Sequence, residues 1–229
     1  MNVPTTPTDS HVGDDPRTIA VEQFVWRLQG LVVAEDRASL AHLRRAAGEW
    51  LGELPAKRRG PVLSLFYGKL LPDLAGRQER EEDFFLVATL FAIAQMGHDR
   101  SQPGSFRGNL GRSLRFLKAA KDQLRTEAGA SPMDRRVVAL LDAPREALAF
   151  RLRQVVRILG TEHIGVDWAL LLRDVMDWDR PNRQVQRRWA RAYFGKRPAT
   201  TNESREGETR SEETESQDEA AGAAKEKEE

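Results

Sequence analysis

The sequence contains no cysteine, which excludes disulfides, thiolate metal sites and cysteine nucleophiles, and with them several enzyme classes. It has no apolar run long enough to span a bilayer. Its first residues lack the basic region and apolar segment of a signal peptide, so the expected compartment is the cytoplasm. Histidine is scarce. The four present, His11, His42, His98 and His163, are scattered, and none stands four residues from another or from a suitable Glu in a helical metal-binding pattern. There is no Walker-type phosphate loop and no Gly-x-Ser-x-Gly nucleophile turn. No segment carries the two-residue alternation of a strand. No enzyme, metal or cofactor is expected from such material.

Net charge is nearly missing as well, at +1, but this hides an asymmetry. Residues 1–16 carry three aspartates and no Lys or Arg, and residues 199–229 carry 11 acidic against 4 basic side chains. The intervening residues 17–198 hold 32 basic and 21 acidic side chains, a net of +11. A basic folded domain points to phosphate-bearing partners. The three parts are expected to be a disordered N-terminal extension (1–16), a basic helical domain (17–198) and a disordered acidic tail (199–229).

Within the domain the apolar residues recur at three- and four-residue steps, predicting an all-α fold of about eight helices in a compact bundle, with a division into two small helical subdomains left open. Val21, Phe24, Val25, Leu28, Leu31 and Val32 form the first stripe. A second helix follows Glu35-Asp36, carries Leu40, Leu43, Ala47, Trp50 and Leu51 inward and ends at Pro55. Pro61 opens a short helix through Leu63, Leu65, Phe66 and Leu70, closed by Pro72. The stretch 80–96 begins with acidic residues suited to a helix N-terminus and is then apolar nearly all round, which marks the central buried helix. Residues 97–108 form a glycine-rich loop. From it emerges a helix with Leu110, Leu114, Leu117 and Leu124 on one face and basic residues beside that stripe. Helices follow over 134–142, with Val137, Val138, Leu140 and Leu141 as buried candidates, and after Pro144. The latter has Leu148, Leu152, Val155, Val156 and Leu159 on one face. Phe150 and Ile158 point elsewhere, so a neighbouring helix or a partner is expected to cover that side. The last two helices span 166–178 and 181–194, with Phe194 in the final apolar set.

Several motifs invite chemistry. His98-Asp99 could begin a metal-dependent phosphohydrolase site, but nothing nominates the further His and Asp ligands, and a loop histidine beside a solvated aspartate is the simpler reading. Gly108-Asn109-Leu110-Gly111 is like a short glycine clamp for nucleotide backbones, yet that clamp needs a mixed helix and sheet fold, so we read a turn and a helix start. Asp167, Asp174, Asp177 and Asp179 are explained by caps or arginine partners. Trp26, Trp168 and Trp189 fall on or beside apolar stripes and are assigned to the core, whereas Trp50 and Trp178, near helix ends, are left undecided. What remains is a set of basic side chains, Arg107, Arg112, Arg115, Lys118, Lys121, Arg135, Arg136, Arg153 and Arg157, on three consecutive helices expected to pack together. Arginine forks bind phosphates without reading bases, so these are candidate nucleic-acid contacts.

The ordered motifs Phe-Leu-Val-Ala-Thr-Leu-Phe-Ala (85–92), Gly-Asn-Leu-Gly-Arg-Ser-Leu-Arg (108–115), Asp-Arg-Arg-Val-Val-Ala-Leu-Leu (134–141), Leu-Arg-Gln-Val-Val-Arg (152–157) and Val-Asp-Trp-Ala-Leu-Leu (166–171) resemble the CasB family. That family is the small subunit of the type I-E CRISPR surveillance complex, Cascade, and the resemblance covers about residues 20–195. It implies an all-helical, non-catalytic protein present in two copies, partnered by the other Cascade subunits and the guide RNA. It also implies a basic surface that holds opened target DNA, chiefly the displaced strand, with Arg112, Arg115, Arg135, Arg136 and Arg153 as the matching parts. The alternative is a structural scaffold whose basic face binds neighbouring protein subunits.

Overall fold

The computed structural model describes residues 16–71, 78–95, 108–122 and 131–195. The expected N-terminal extension up to residue 15, the tail, Leu124 and the 96–107 stretch with His98, Asp99 and Arg107 lie outside the described residues. Among the described residues there is no strand, and the chain forms nine α-helices. They are α1 (Pro16–Val33), α2 (Arg37–Arg45), α3 (Ala56–Leu65), α4 (Gln78–Ala94), α5 (Leu110–Asp122), α6 (Pro132–Leu141), α7 (Arg145–Thr161), α8 (Trp168–Met176) and α9 (Gln184–Phe194). The described helices make one compact unit, so the division into two subdomains does not occur. None is long and apolar enough to cross a membrane.

The all-round apolar character of α4 places it at the centre. Every side chain from Asp83 to Ala94 is buried, and the helix packs against α2, α7 and α8. Aromatic edges fix its orientation: Phe84 meets Phe24 at 4.8 Å, Phe85 meets Phe66 at 5.4 Å and Phe91 meets Trp168 at 5.4 Å between ring centroids. Such T-shaped pairs add specificity to the burial they share. A polar member of this helix, Asp83, is paired with Arg145 of α7, which also donates to the Val175 carbonyl at 2.7 Å and lies 4.8 Å from the Trp50 ring centroid. Burial pushes the Asp83 carboxyl above its usual range, and the guanidinium only partly offsets this.

Two helix crossings are made close by glycine. A Cβ on Gly111 of α5 would lie 2.3 Å from the Trp189 carbonyl oxygen of α9, and one on Gly160 of α7 would lie 2.9 Å from the Ala94 Cα of α4. Only a residue without a side chain lets the backbones approach so far.

The structure departs from the periodic reading at five places. Helix α2 stops at Arg45, not near Pro55, because Gly48 takes φ +82° and turns the chain; Leu51–Glu53 is then a separate 3₁₀ turn. Trp50 is half-buried and its indole N–H donates to the Glu146 carbonyl at 3.4 Å. Helix α3 opens five residues before Pro61, since the Pro55 carbonyl accepts from Arg58 and Arg59, and it passes into a π-helical turn over Phe66–Leu70. Trp26 is not core but 73% exposed, and Val138 and Phe194 are also exposed. In each case the apolar stripe is wider than the face its neighbours cover and leaves its edge in solvent. Trp178, by contrast, is buried, with its indole N–H donating to the Ala143 carbonyl at 3.1 Å.

Candidate nucleic-acid interface

The glycine-led start of α5 is a helix cap. Gly108 takes φ +142°, and the stem of Arg112 folds back over it: a Cβ there would lie 2.8 Å from Arg112 Cδ. Asn109 then accepts the Arg112 N–H on its side-chain oxygen at 3.1 Å and on its carbonyl at 2.9 Å, satisfying a donor that the first turn leaves orphaned. Leu110, Leu114 and Leu117 are buried, and Ser113 Oγ donates to the Gly165 carbonyl at 2.9 Å. This directs Arg112 outward, its guanidinium 5.8 Å from the exposed Phe116 ring centroid, and leaves Arg115 half-buried.

The other two cations of α5 are engaged. Lys118 Nζ donates to both carboxylate oxygens of Asp134, at 2.9 and 3.1 Å, and Tyr193 Oη donates to the same group at 2.7 Å. Burial pushes the Asp134 carboxyl up, but the hydrogen bonds from Lys118, Tyr193 and the Ser131 N–H outweigh it and hold the group below its ordinary range. Lys121 pairs with Glu162 at 2.7 Å. Lys118 thus pins α5, α6 and α9 together. Helix α5 packs chiefly on α9 and less extensively on α7.

Helix α6 starts with a capping box. Ser131 Oγ accepts the Met133 N–H at 3.1 Å, and the Asp134 carboxylate accepts the Ser131 N–H at 3.2 Å. With Met133, Val137 and Leu140 buried, Arg136 points toward α7 and Arg135 stands on the outer side. In α7 the buried Leu148, Leu152, Val155, Val156 and Leu159 fix the opposite face, on which Phe150, Arg153, Gln154, Arg157 and Thr161 fall within about 100° of one another at 100° per residue.

An open groove of about 460 Å³ runs between α6 and α7, and its lining brings together Arg136, Arg153 and Arg157 with Phe150 and Ile158. A second hollow of about 550 Å³ adjoins it, sharing Arg136, Ile158 and Thr161 and adding Pro132, Met133 and the Lys121–Glu162 pair. Phe150 and Ile158 line the groove, Ile158 partly buried against the core and Phe150 exposed, with no helix of the described residues covering it. Among the described residues the guanidinium groups of Arg136, Arg153 and Arg157 have no hydrogen-bond or ion-pair partner, and the Arg157 carbonyl accepts from Thr161 Oγ at 3.0 Å. The stem of Arg153 lies against Gly48, where a Cβ would come within 2.5 Å of its Cδ.

The structure thus joins Arg136, Arg153 and Arg157 at one groove, sets Lys121 beside it, and keeps Arg112, Arg115 and Lys118 on α5 and Arg135 outside it. Two further arginines outside the predicted set, Arg187 and Arg191, are exposed on α9, against which α5 packs. Their four-residue spacing opposite the buried Val185, Trp189 and Tyr193 was the available signal.

The aspartates are structural. Asp167 caps α8 by accepting the Leu170 N–H at 2.9 Å, and Asp177 pairs with Arg17 at 2.6 Å and Arg180 at 3.2 Å. Asp179 is 3.8 Å from Arg145. Asp174 is buried and accepts from the Trp189 indole N–H at 2.5 Å and from Arg188; burial raises its carboxyl, and these two donors only partly counter it. No group of three or more His, Asp or Glu that could hold a metal occurs among the described residues.

Comparison with known proteins agrees with this architecture. The family model of the CRISPR-associated protein Cse2 matches residues 39–194. A CRISPR-associated protein Cse2 of Thermus thermophilus is 39% identical over 119 residues, which is 52% of this chain and 60% of the relative, so the match spans under two thirds of that protein. Among solved structures, a chain of a CRISPR RNA-guided surveillance complex superimposes with a TM-score of 0.61 at 26% identity, covering 78% of this chain and 93% of that one. CasB from Thermus thermophilus superimposes with a TM-score of 0.52 at 32% identity, covering 80% and 99%. With the family model spanning more than half of the sequence and the same helical fold in these relatives, the chain belongs to the CRISPR-associated Cse2 family, whose members are also called CasB.

Proposed function

We propose that the protein is a non-catalytic small subunit of a type I-E CRISPR RNA-guided surveillance complex, present in two copies, and that its basic face holds the backbone of target DNA opened by the guide RNA, chiefly the displaced strand. The observation that carries this reading is the convergence of Arg136, Arg153 and Arg157 from two helices on one open groove without an acidic partner among the described residues. Like charges held together on a folded surface repel one another until an anion arrives, and guanidinium forks match phosphate oxygens. A solved relative is itself part of a CRISPR RNA-guided surveillance complex. In such a complex the RNA–DNA hybrid is about as stable as the duplex it replaces, so a few phosphate contacts to a separated strand suffice to tip the exchange.

The test is the triple substitution Arg136→Glu, Arg153→Glu and Arg157→Glu in the reconstituted complex, measured by gel shift with target DNA at two salt concentrations. The expected result is intact co-purification, weaker target binding, and a salt slope shallower by about 0.7 for each single-strand phosphate that is no longer neutralised. Unchanged target affinity refutes the reading. Failure to co-purify supports the scaffold alternative instead. The pair Arg112→Glu and Arg115→Glu, assayed in the same way, reports on α5 separately and is expected to weaken target binding while assembly persists.

A further inference from the structure

The groove contains something that phosphate binding does not require. Phe150 is 52% exposed, although a phenylalanine at that position could be a lysine or a glutamate without loss to the core. It sits on the same face of α7 as Arg153 and Arg157, one helical turn and two turns along, and it lines the groove with both. The Arg151 guanidinium lies 5.7 Å from its ring centroid, so a cation borders the ring as well. Single exposed apolar residues are common on protein surfaces. This one lines the opening shared by Arg136, Arg153 and Arg157. The adjoining hollow carries the apolar side chains Pro132, Met133 and Ile158 against the edge formed by Arg136. Alternation of cationic and apolar or aromatic lining suits a chain that presents phosphates and bases to the protein together. A duplex cannot offer a base face, because its bases are stacked on one another and only their edges and the backbone are reachable.

We infer that the α6–α7 groove takes nucleic acid as an unpaired strand, with a base stacked on the Phe150 ring while Arg136, Arg153 and Arg157 hold the flanking phosphates. This rests on the proposed function and adds to it a base contact and a physical origin for preferring separated over paired strands. The stack is sequence-tolerant, since every base has a π-face, which fits a protein that must accept any target.

The experiment uses the full chain with three fluorescent probes of equal phosphate number: an oligothymidine, the same backbone with abasic positions, and a duplex. Anisotropy titrations are run on the wild type, Phe150→Ala, Phe150→Trp, Arg153→Gln with Arg157→Gln, and Phe194→Ala as a control for an exposed phenylalanine outside the groove. The expected result is that Phe150→Ala weakens oligothymidine binding by about 5- to 150-fold, the range of one base–aromatic stack, and leaves abasic binding and the salt slope unchanged. Phe150→Trp retains oligothymidine binding, Phe194→Ala is silent, and the arginine pair weakens both single-strand probes. Equal binding of oligothymidine by wild type and Phe150→Ala overturns the inference while leaving the phosphate reading intact if the arginine pair still weakens binding. Equal affinity for oligothymidine and abasic strand in the wild type, or no binding of the free chain to either, also overturns it. Thermal unfolding of Phe150→Ala close to that of the wild type checks that the fold is retained.

Discussion

Substituting Gly111 by alanine tests the packing that carries α5, and its sign can be worked out from the structure. Alanine is favoured over glycine by about 1 kcal/mol in a helix interior, which is an upper bound for Gly111 in the first turn of α5. At Gly111 the new methyl would stand 2.3 Å from the Trp189 carbonyl oxygen and 2.9 Å from Trp189 C and Cα. Ordinary packing begins a full ångström further out, and the obstacle is helix backbone that cannot rotate aside. Helices α5 and α9 must separate, with a packing cost of about 1–3 kcal/mol or more, as for other overpacked interiors. So direct a clash belongs at the upper end, and the net effect is a loss of about 1–2 kcal/mol after the propensity gain. For a domain of this size that lowers Tm by about 2–8 °C. The internal control is Gly30→Ala in α1, where nothing lies within 4 Å of the added methyl and the propensity gain stands alone, raising Tm by about 1–4 °C. Thermal unfolding followed by circular dichroism measures both. A Gly111→Ala protein as stable as the wild type would refute the close-crossing argument, and so would a Gly30→Ala protein that loses as much as Gly111→Ala.

Trp189→Phe keeps most of the buried volume but removes the indole N–H that Asp174 accepts. The buried carboxylate then keeps Arg188 alone, and a loss of about 1–3 kcal/mol is expected in urea unfolding; a loss no larger than that of an ordinary conservative core swap would count against the bond. Because the Asp134 carboxyl is held below its ordinary value, the stability it contributes is full above the unfolded aspartate pKa of about 3.9 and is lost as pH falls through the lower folded value. Wild type should therefore exceed Asp134→Asn in stability at pH 6, with the gap closing toward pH 2; a gap independent of pH would refute this. Tyr67, whose hydroxyl donates to Glu81 at 2.5 Å and whose pKa is pushed up to about 12 by burial and that carboxylate, should remain protonated beyond the usual tyrosine range in a spectrophotometric titration, and Glu81→Gln should bring it down.

The parts of the fold legible in the sequence are those where one pattern has one physical solution. An apolar run with an acidic first turn, as in 80–96, has a buried helix as its solution, and Asp167 ahead of Trp168 takes the first of the two roles expected of it, a cap. The errors have a common cause. Periodicity shows that Trp26, Val138 and Phe194 lie beside apolar stripes, but whether another helix covers that edge depends on tertiary neighbours. The spacing of Ala47, Trp50 and Leu51 continues the pattern of α2 across Gly48, and the left-handed turn there leaves no trace in apolar spacing. At the site, the four-residue step from Arg153 to Arg157 is readable, and their union with Arg136 follows from the α6–α7 packing. The ion pairs that occupy Lys118 and Lys121 join residues 16 and 41 positions apart, and no local pattern reports them.

The seating of Arg153 on Gly48 bears on affinity through entropy. A free arginine gives up about 2 kcal/mol of rotamer freedom when it is fixed on a ligand. In this protein the Cβ, Cγ and Cδ of Arg153 already rest against the glycine turn after α2, so much of that ordering is completed during folding and is not charged to the encounter with a phosphate. The turn between the second and third helices therefore acts as a splint for a cation on the seventh.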